Sequence, residues 1–279
     1  MLPNFIICGT QKGGTTTLYH FLRSHPEIYM PHVKEIHFFD LNFHKGIEWY
    51  KKFFTYSKYK SYKAIGEATP LYMYLREVPE RIHYYLPSVK LIFILRHPVD
   101  RAYSHYWHEI RLGYEYLSFR NAILYEQKRL KTGHIFNLQH YSYLDRGKYI
   151  EQLRRFLKYF SRDQILIVFN KELKITPVLV MKRIFEFLEV NTKHVDPMWF
   201  RKRYNVGRSP RSWYLQRLYY KLKTRNGNTW LTKAICKLNL RKGYPLLDLD
   251  TRRRLINFFK TYNEELELFL NKKLPWWYK

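Results

Sequence analysis

The sequence has few cysteines, and it lacks both a long apolar run and a secretory leader. Its two cysteines, Cys8 and Cys236, exclude a disulfide framework, and nothing in their placement resembles a zinc site. No apolar run approaches the roughly 18 residues that span a bilayer, and no basic segment followed by an apolar one opens the chain. We therefore expect a soluble protein of the cytoplasm.

Acidic residues are also scarce. The chain has 23 Asp and Glu against 50 Lys and Arg, a formal net charge of +27 at pH 7. Such an excess indicates an anionic partner: a nucleotide, an acidic glycan, a nucleic acid or an anionic membrane. The charge alone does not choose among them. With 279 residues, 46% of them hydrophobic, the chain can form one large domain or two small ones. We expect a single domain over residues 1–279.

Strand-like and helical segments alternate along the chain. Short apolar runs predict strands at 5–8, 64–67, 91–95 and 165–169. Helical spacing of apolar residues predicts helices at 15–23, 78–86, 98–113, 150–160, 177–188 and 255–270. This alternation is typical of an α/β fold with a central parallel sheet flanked by helices, and such sheets bind ligands at the carboxyl ends of their strands. Residues 204–239 show the least periodicity, and we expect a loop-rich lid or insertion there.

The segment TQKGGTTT, residues 10–17, has the pattern of a phosphate-binding turn between a strand and a helix. Such a turn directs backbone N–H groups and the positive end of the helix dipole at an anion, and Lys12 adds a full charge. A Walker loop has its lysine next to the last glycine; counted from Gly9, that position holds Thr15. The displaced lysine favours a phosphate that leaves a transferred group over a γ-phosphate with Mg²⁺. An ordinary glycine-rich turn remains the alternative.

A second candidate phosphate site follows the predicted strand at 91–95. Arg96 comes directly after that strand, at the same sheet edge as Lys12, and Ser104 lies about two turns into the next helix. An arginine fork and a hydroxyl can hold a second phosphate. Two phosphate sites at one edge fit a nucleotide phosphorylated at both ends of its ribose. The alternative is an Arg96 paired with Asp100 and a serine that faces solvent.

Together these two segments resemble the nucleotide-binding motifs of sulfotransferases that use 3′-phosphoadenylyl sulfate (PAPS), whose product is adenosine 3′,5′-bisphosphate. The resemblance implies a three-layer P-loop-like fold and no metal ion. It also assigns the donor contacts. The implied 5′-phosphosulfate contacts are Lys12, Gly13, Gly14, Thr15 and Thr16, and the implied 3′-phosphate contacts are Arg96 and Ser104.

Further segments are similar to the heparan sulfate branch, namely the 3-O-sulfotransferases and the sulfotransferase half of the N-deacetylase/N-sulfotransferases. These segments are KEIHFFD at 34–40, HKGIEWY at 44–50, VPERIH at 78–83 and RKGYPLLD at 241–248. The resemblance covers nearly the whole chain and implies a carbohydrate acceptor. It also implies a basic nucleotide-contacting loop made of Arg241, Lys242, Gly243 and Tyr244.

The resemblance implies roles for several polar residues. Glu35 is the general base, and Lys12 stabilises charge on the bridging oxygen and the leaving phosphate. His37 is the second candidate base, or a donor to the sulfuryl oxygens. Asp40 and Glu67 are expected to orient the acceptor. Since a base is helped by a raised pKa, we expect burial against the apolar neighbours of Glu35, namely Ile36, Phe38 and Phe39, to raise the pKa of its carboxyl.

The chain departs from the heparan branch at one cationic position. The motif GEATP at 66–70 has Ala68 where heparan members carry a lysine, and Lys34, Lys63 or Arg76 are the candidates to replace it. The cysteine-bridged loop of the animal enzymes also has no counterpart. We therefore expect an acceptor other than heparan itself, such as a capsule or exopolysaccharide unit, a lipid-linked sugar or a glycolipid.

Three other functions are weighed against sulfuryl transfer. A P-loop kinase would bind ATP with Mg²⁺, and the displaced lysine argues against it. A nucleic-acid-binding protein would use the net charge of +27, but no RNA or DNA module is visible, and we expect no nucleic-acid partner. A catalytically inactive relative would bind nucleotide only.

Residues 276–278 (WWY) are expected to pack against the last helix, with contact to an anionic membrane as the alternative. The sequence does not predict an oligomeric state.

Overall fold

The computed structural model describes residues 1–55, 62–194, 200, 207–227 and 229–279. Contacts divide the chain into two compact units. The first unit comprises Met1–Arg96 and Tyr149–Asn205, and the second comprises His97–Lys148 and Val206–Lys279. The predicted single domain over residues 1–279 stays a prediction.

The first unit is built on a five-stranded parallel sheet, as the alternation of segments predicts. The strands are β1 (Phe5–Gly9), β2 (Ile28–Tyr29), β3 (Ala64–Ala68), β4 (Lys90–Leu95) and β5 (Ile165–Phe169). They lie in the order β2-β3-β1-β4-β5. Ile7 is opposite Ala68 in the β1–β3 pair, and Leu91 is opposite Ile165 in the β4–β5 pair.

Among the residues that the structure describes, six α-helices belong to the first unit, and they cover both faces of the sheet. Alternate residues of a strand point to opposite faces. Ile92 and Ile94 of the central strand join one apolar cluster with Leu18 and Met181, whereas Phe93 packs edge-on against Phe156, with ring centroids 4.9 Å apart. The helices are α1 (Thr15–Arg23), α2 (Gly46–Lys51), α3 (Val78–Tyr85), α7 (Tyr149–Phe156), α8 (Asn170–Ile175) and α9 (Pro177–Phe187).

The second unit is mainly helical. Its core cluster joins Val99 and Ala102 with Phe119, Leu255 and Phe259. Its helices are α4 (Pro98–Leu112), α5 (Phe119–Leu130), α6 (Ile135–His140), α10 (Trp213–Asn226), α11 (Trp230–Asn239) and α12 (Leu249–Leu270). Two short strands, β6 (Arg208–Pro210) and β7 (Leu240–Lys242), form an antiparallel pair.

The prediction of a loop-rich segment over 204–239 is wrong for most of that range. Residues 204–206 and 228 lie outside the described residues, but 213–226 and 230–239 form α10 and α11. Ser212 and Thr229 cap the two helices by accepting backbone N–H groups. The basic and aromatic composition hid good helix formers, since Leu, Lys, Arg and Gln all favour helices. A role as a lid stays a prediction.

The segment that follows α12 is hydrogen-bonded back to that helix, and the packing of all three aromatic residues at 276–278 against it stays a prediction. Trp277 is buried, and the backbone N–H of Leu274 donates to the Glu267 carboxylate of α12. No helix within the described residues is both long and apolar enough to cross a membrane.

Candidate active site

The loop between β1 and α1 is held from the sheet side by hydrogen bonds to its carbonyl groups. The Arg96 guanidinium donates to the Lys12 carbonyl at 3.2 Å, and the Asn170 amide donates to the Gly13 carbonyl at 2.5 Å. The Thr10 N–H donates to the carbonyl of Ile94 at 2.9 Å. Arg96 and Asn170 directly follow β4 and β5, so the ends of these two strands hold the loop that leaves β1.

Two glycines of this loop are required by geometry. A Cβ atom on Gly13 would lie 2.4 Å from the Ile94 carbonyl oxygen, and Gly14 has a φ of 116°. Lys12 itself adopts a left-handed φ of 66°, which is uncommon for a residue with a side chain. Backbone held in this conformation is typical of functional sites.

The N-terminus of α1 has the features of an anion site. Gly14 is the N-cap and offers no side-chain hydrogen bond, and the first turn contains no acidic residue. The first N–H groups of a helix have no partner within the helix, and the positive end of its dipole favours an anion. The loop therefore has the chemistry of an anion site, and its predicted donor contacts stay a prediction.

A cluster of charged side chains lies in the segment 34–40. The His37 imidazole contacts the Asp40 carboxylate through Nδ1 at 2.8 Å and the Glu35 carboxylate through Nε2 at 3.8 Å. The Lys34 ammonium pairs with the other Glu35 oxygen. Both Glu35 and His37 have positive φ angles, 64° and 56°. The backbone conformation thus aligns Lys34, Glu35, His37 and Asp40 in one chain of contacts, and we call these four residues the Glu35 cluster.

The expected rise in the pKa of Glu35 is wrong. Burial alone would raise it, but the hydrogen bonds and charges of His37 and Lys34 outweigh burial and lower the pKa to about 2. The Glu35 side chain is 44% exposed, whereas Ile36, Phe38 and Phe39 are buried in the core. The apolar neighbours therefore anchor the segment instead of enclosing the carboxylate.

His37 is the second cationic partner of Glu35, beside Lys34. Burial lowers its pKa, but hydrogen bonds to Asp40 and Glu35 more than compensate, and the pKa rises to about 9. At neutral pH the imidazole is thus protonated: its Nδ1–H donates to Asp40, and its Nε2 lies 3.8 Å from the Glu35 carboxylate. This state suits a donor to anionic oxygens better than a base.

The Glu35 cluster is attached directly to the end of β3. The Glu35 N–H donates to the Ala68 carbonyl at 3.1 Å, and the Phe38 N–H donates to the Tyr72 hydroxyl at 2.9 Å. Because Ala68 is opposite Ile7 of β1, this attachment point is one strand away from the start of the Lys12 loop. Parallel neighbours are about 4.8 Å apart, so both features share one sheet edge.

Glu67 lies beneath this attachment point and is fully buried. Its carboxylate accepts hydrogen bonds from the hydroxyls of Tyr50 (2.7 Å), Thr69 (2.7 Å) and Tyr72 (3.0 Å). Burial raises the pKa of Glu67 to about 7, although these hydrogen bonds act in the opposite direction and the Asp40 charge adds to the rise. Through Tyr72, Glu67 supports the backbone of the cluster. Its predicted contact with the acceptor, like that of the buried Asp40, stays a prediction.

The three candidates for the missing family lysine are in different places. Lys34 is adjacent to Glu35, whose N–H binds the Ala68 carbonyl. Lys63 precedes β3 at the other end of the strand and pairs with Glu27 at 2.6 Å. Arg76 is exposed. Lys34 is therefore the candidate that lies within the cluster.

The predicted donor contacts of the second unit also form a cluster of their own. The hydroxyls of Ser104 and Tyr244 are 3.1 Å apart, although the residues are separated by 140 positions. Arg241 donates to Ser209, and the Ser209 hydroxyl in turn donates to the Gly243 carbonyl at 2.9 Å. Ser104 is buried and does not face solvent. The structure thus brings together two motifs that the sequence places far apart.

Sequence reasoning missed Asn170 and the hydrogen bonds that Tyr50 and Tyr72 donate to Glu67. Asn170 could have been found because it is a polar residue directly after a buried apolar run, at the edge where ligands bind. The two tyrosines carry no such signal, since aromatic residues at helical or turn positions are usually ordinary core.

These features define an α/β protein with a glycine-rich loop at a helix N-terminus and an adjacent charged cluster. A family model described as the sulfotransferase domain matches residues 2–215. The chain belongs to this sulfotransferase family, whose members transfer a sulfuryl group to hydroxyl or amino groups. The match spans most of the first unit and much of the second.

Individual relatives agree with this membership. The mouse bifunctional heparan sulfate N-deacetylase/N-sulfotransferase 4 is 33% identical over 290 residues, which cover 99% of this chain and 31% of the mouse protein. The human bifunctional heparan sulfate N-deacetylase/N-sulfotransferase 3 is 31% identical, and the match covers 99% of this chain and 31% of the human protein. The chain thus spans about a third of the length of these curated relatives. A sulfotransferase crystal structure from Alicyclobacillus acidocaldarius superimposes with a TM-score of 0.76 at 26% identity, with 100% of both chains covered.

Proposed function

We propose that this protein transfers a sulfuryl group from 3′-phosphoadenylyl sulfate to a hydroxyl or amino group of a carbohydrate, with Glu35 as the general base. The observation that carries the proposal is the attachment of Glu35 to the end of β3, one strand from the Lys12 loop. Family membership supports the reaction class. The names of the heparan sulfate relatives support the carbohydrate acceptor.

Lys12 and the N-terminus of α1 hold the 5′ end of the donor, and Arg96 holds its 3′-phosphate. Bound there, the donor supplies the sulfuryl group, and its bridging oxygen keeps the bonding electrons as the phosphate leaves. Lys12 neutralises the charge that develops on that oxygen. The predicted donor contacts Gly13, Gly14, Thr15 and Thr16 contribute backbone and hydroxyl donors in the same loop, while Ser104, Arg241, Lys242, Gly243 and Tyr244 remain predicted contacts in the second unit.

Glu35 removes the acceptor proton as the acceptor oxygen or nitrogen forms its bond to sulfur. In the free protein its pKa of about 2 makes it a weak base, because Lys34 and His37 neutralise it. An incoming sulfuryl group is anionic and competes for both cations. Each contact that moves to the sulfuryl oxygens removes a cause of the low pKa, and the effect of burial then raises it. Arrival of the donor thus activates the base, with His37 acting as a donor to the sulfuryl oxygens.

The acceptor is a sugar that presents a hydroxyl or amino group to Glu35. Because Ala68 takes the place of the family lysine, Lys34 supplies the cation at this position. A capsular or exopolysaccharide unit, a lipid-linked sugar or a glycolipid is consistent with such a site.

The first test is ligand-induced thermal stabilisation. Adenosine 3′,5′-bisphosphate at about 100 times its dissociation constant adds roughly 2.7 kcal/mol of stability, and ATP with Mg²⁺ and a short DNA duplex serve as the comparison ligands. A shift with the bisphosphate alone supports the donor site. A shift with only ATP or only DNA would replace the proposal with the kinase or the nucleic-acid alternative.

The second test separates binding from transfer. Glu35→Gln is expected to keep the bisphosphate-induced shift and to reduce sulfuryl transfer from labelled donor by at least about 100-fold, the usual scale for loss of a general base. Glu48→Gln is the matched control, since this exposed carboxylate of the same unit pairs with Lys51 on its own helix. Transfer retained by the Glu35 variant would remove this residue from the base role.

A further inference from the structure

The helices α10 and α11 and their flanking strands form an acid-free part of the chain. No Asp or Glu occurs between residues 197 and 247. Basic residues are frequent in the two helices and include Arg217, Lys221, Lys223, Arg225, Lys233 and Lys237. A segment of this length that carries only positive charges attracts anions, because it contributes no carboxylate of its own.

Large apolar side chains are exposed on the same two helices. Trp230 is 79% exposed, Leu231 is 41% exposed and Leu238 is 75% exposed on α11. At 100° per residue these three positions fall within one side of the helix about 100° wide. On α10, Tyr214 is 88% exposed, and Leu218 follows it on the same side one turn later.

The opposite side of α11 is the side that packs. Thr232 and Asn239 are buried, and the Asn239 amide donates to Gln216 of α10 at 3.1 Å. The exposed apolar side therefore faces away from the contact between the two helices. Its exposure follows from the way the pair is held together and does not mark an unformed core.

A cationic cavity adjoins the apolar side. It has a volume of about 520 Å³ and no carboxylate in its lining. Its four basic residues are Arg208, Lys233, Lys237 and Lys242. Lys237 is one residue before Leu238, so the cavity and the exposed apolar residues are next to each other.

We propose that α10 and α11 form a docking surface for an anionic phospholipid bilayer. In this arrangement Trp230, Leu231 and Leu238 enter the boundary between headgroups and acyl chains, while the basic cavity binds lipid phosphates. A soluble polyanion would use the cations but would gain nothing from uncovered tryptophan and leucine. An anionic bilayer binds the cations through its phosphates and covers the exposed apolar side chains. Basic helices with Trp and Leu on one side are typical of peripheral membrane attachment. The inference does not depend on the identity of the donor or the acceptor.

Sedimentation with lipid vesicles tests this surface in the full chain. We expect binding to vesicles that contain phosphatidylcholine and phosphatidylglycerol in equal amounts, weak binding to pure phosphatidylcholine, and a decrease with salt. The double variant Trp230→Gln, Leu238→Gln is expected to lower the affinity by at least about tenfold, the scale of one buried leucine side chain. Because both side chains are exposed, the fold should be unchanged, and circular dichroism checks this.

The controls decide between a bilayer and a general polyanion site. Tyr84→Gln, Leu179→Gln removes two exposed apolar side chains from the first unit and is expected to leave vesicle binding unchanged. Heparin binding is expected to be equal in wild type and in the Trp230, Leu238 variant. Absence of binding to anionic vesicles, or full retention of binding by that variant, would overturn the proposal. Equal losses of vesicle and heparin binding would also overturn it, in favour of a polyanion site.

Discussion

Glu67→Gln is the substitution whose effect can be derived most fully from the structure. Glu67 is fully buried, and three hydroxyl groups donate to its carboxylate. Burial raises its pKa from 4.5 to about 7. Glutamine keeps the shape but stays uncharged at every pH. The variant therefore removes the cost of burying a charge, together with some of the hydrogen bonding.

The direction of the pH dependence follows from this raised pKa. Below pH 4.5 the carboxyl is protonated in both states, and its contribution to folding is fully present. Between pH 4.5 and about 7 the folded protein holds a proton that the unfolded chain has released, so stability falls as the pH rises. The rise in the pKa of Glu67 from 4.5 to about 7 corresponds to about 3 kcal/mol in the free energy of unfolding. Wild type should lose this amount across the window, and Glu67→Gln should not.

The assay is urea unfolding followed by circular dichroism between pH 4.5 and pH 8.5. Lost hydrogen bonds are expected to destabilise the variant by a constant ~1–3 kcal/mol, and the informative quantity is the change in this difference with pH. We expect the variant to gain about 3 kcal/mol relative to wild type as the pH rises. The exposed Glu48→Gln serves as the control, with a difference that stays within about 0.5 kcal/mol. The reasoning would be refuted if the difference in free energy of unfolding between Glu67→Gln and wild type stayed constant with pH.

Three other substitutions probe the loop and the cluster. Lys34→Ala removes a cation that lowers the pKa of Glu35, so the acid limb of the pH–transfer profile should move to higher pH; an unmoved limb would disconnect Lys34 from the base. Gly13→Ala places a Cβ atom 2.4 Å from the Ile94 carbonyl, and calorimetry should detect a loss of bisphosphate affinity of at least about tenfold; unchanged affinity would mean that the loop adapts. Arg96→Ala should weaken the binding of adenosine 3′,5′-bisphosphate far more than the binding of adenosine 5′-phosphate. Equal losses of affinity would mean that Arg96 only supports the loop through its hydrogen bond with the Lys12 carbonyl.

Most elements that carry the candidate site were predictable from local pattern. The helix at 15–23 and the strand at 165–169 have the predicted bounds, and the helix that starts at Pro98 ends before Gly113, which is in the left-handed conformation. Strands buried on both faces appear as continuous apolar runs, and glycine and proline mark helix ends, so the signal is local. The two helices within 204–239 were missed because their basic and aromatic residues obscure the apolar period.

The charge state of the candidate base was not predictable. Ile36, Phe38 and Phe39 next to Glu35 predict an apolar enclosure. In the structure Ile36, Phe38 and Phe39 are buried in the core. The Glu35 carboxylate instead contacts Lys34 and His37. A pKa depends on distances between side chains and on burial, and neither quantity can be obtained from the order of residues.

The sequence by itself determined the parallel α/β arrangement, the glycine-rich turn at 10–17 and the family resemblance, because each of these depends on residues close together in the chain. Only the tertiary structure decided which groups meet across long separations. In it the Asn170 amide donates to the Gly13 carbonyl, and the Ser104 hydroxyl contacts the Tyr244 hydroxyl. Glu67 accepts from Tyr72, which supports the Glu35 cluster. The physical reason is that hydrogen bonds and desolvation act over a few ångströms in space. Strand order and helix packing, which are set by the burial of the whole apolar surface, bring these distant residues within that range.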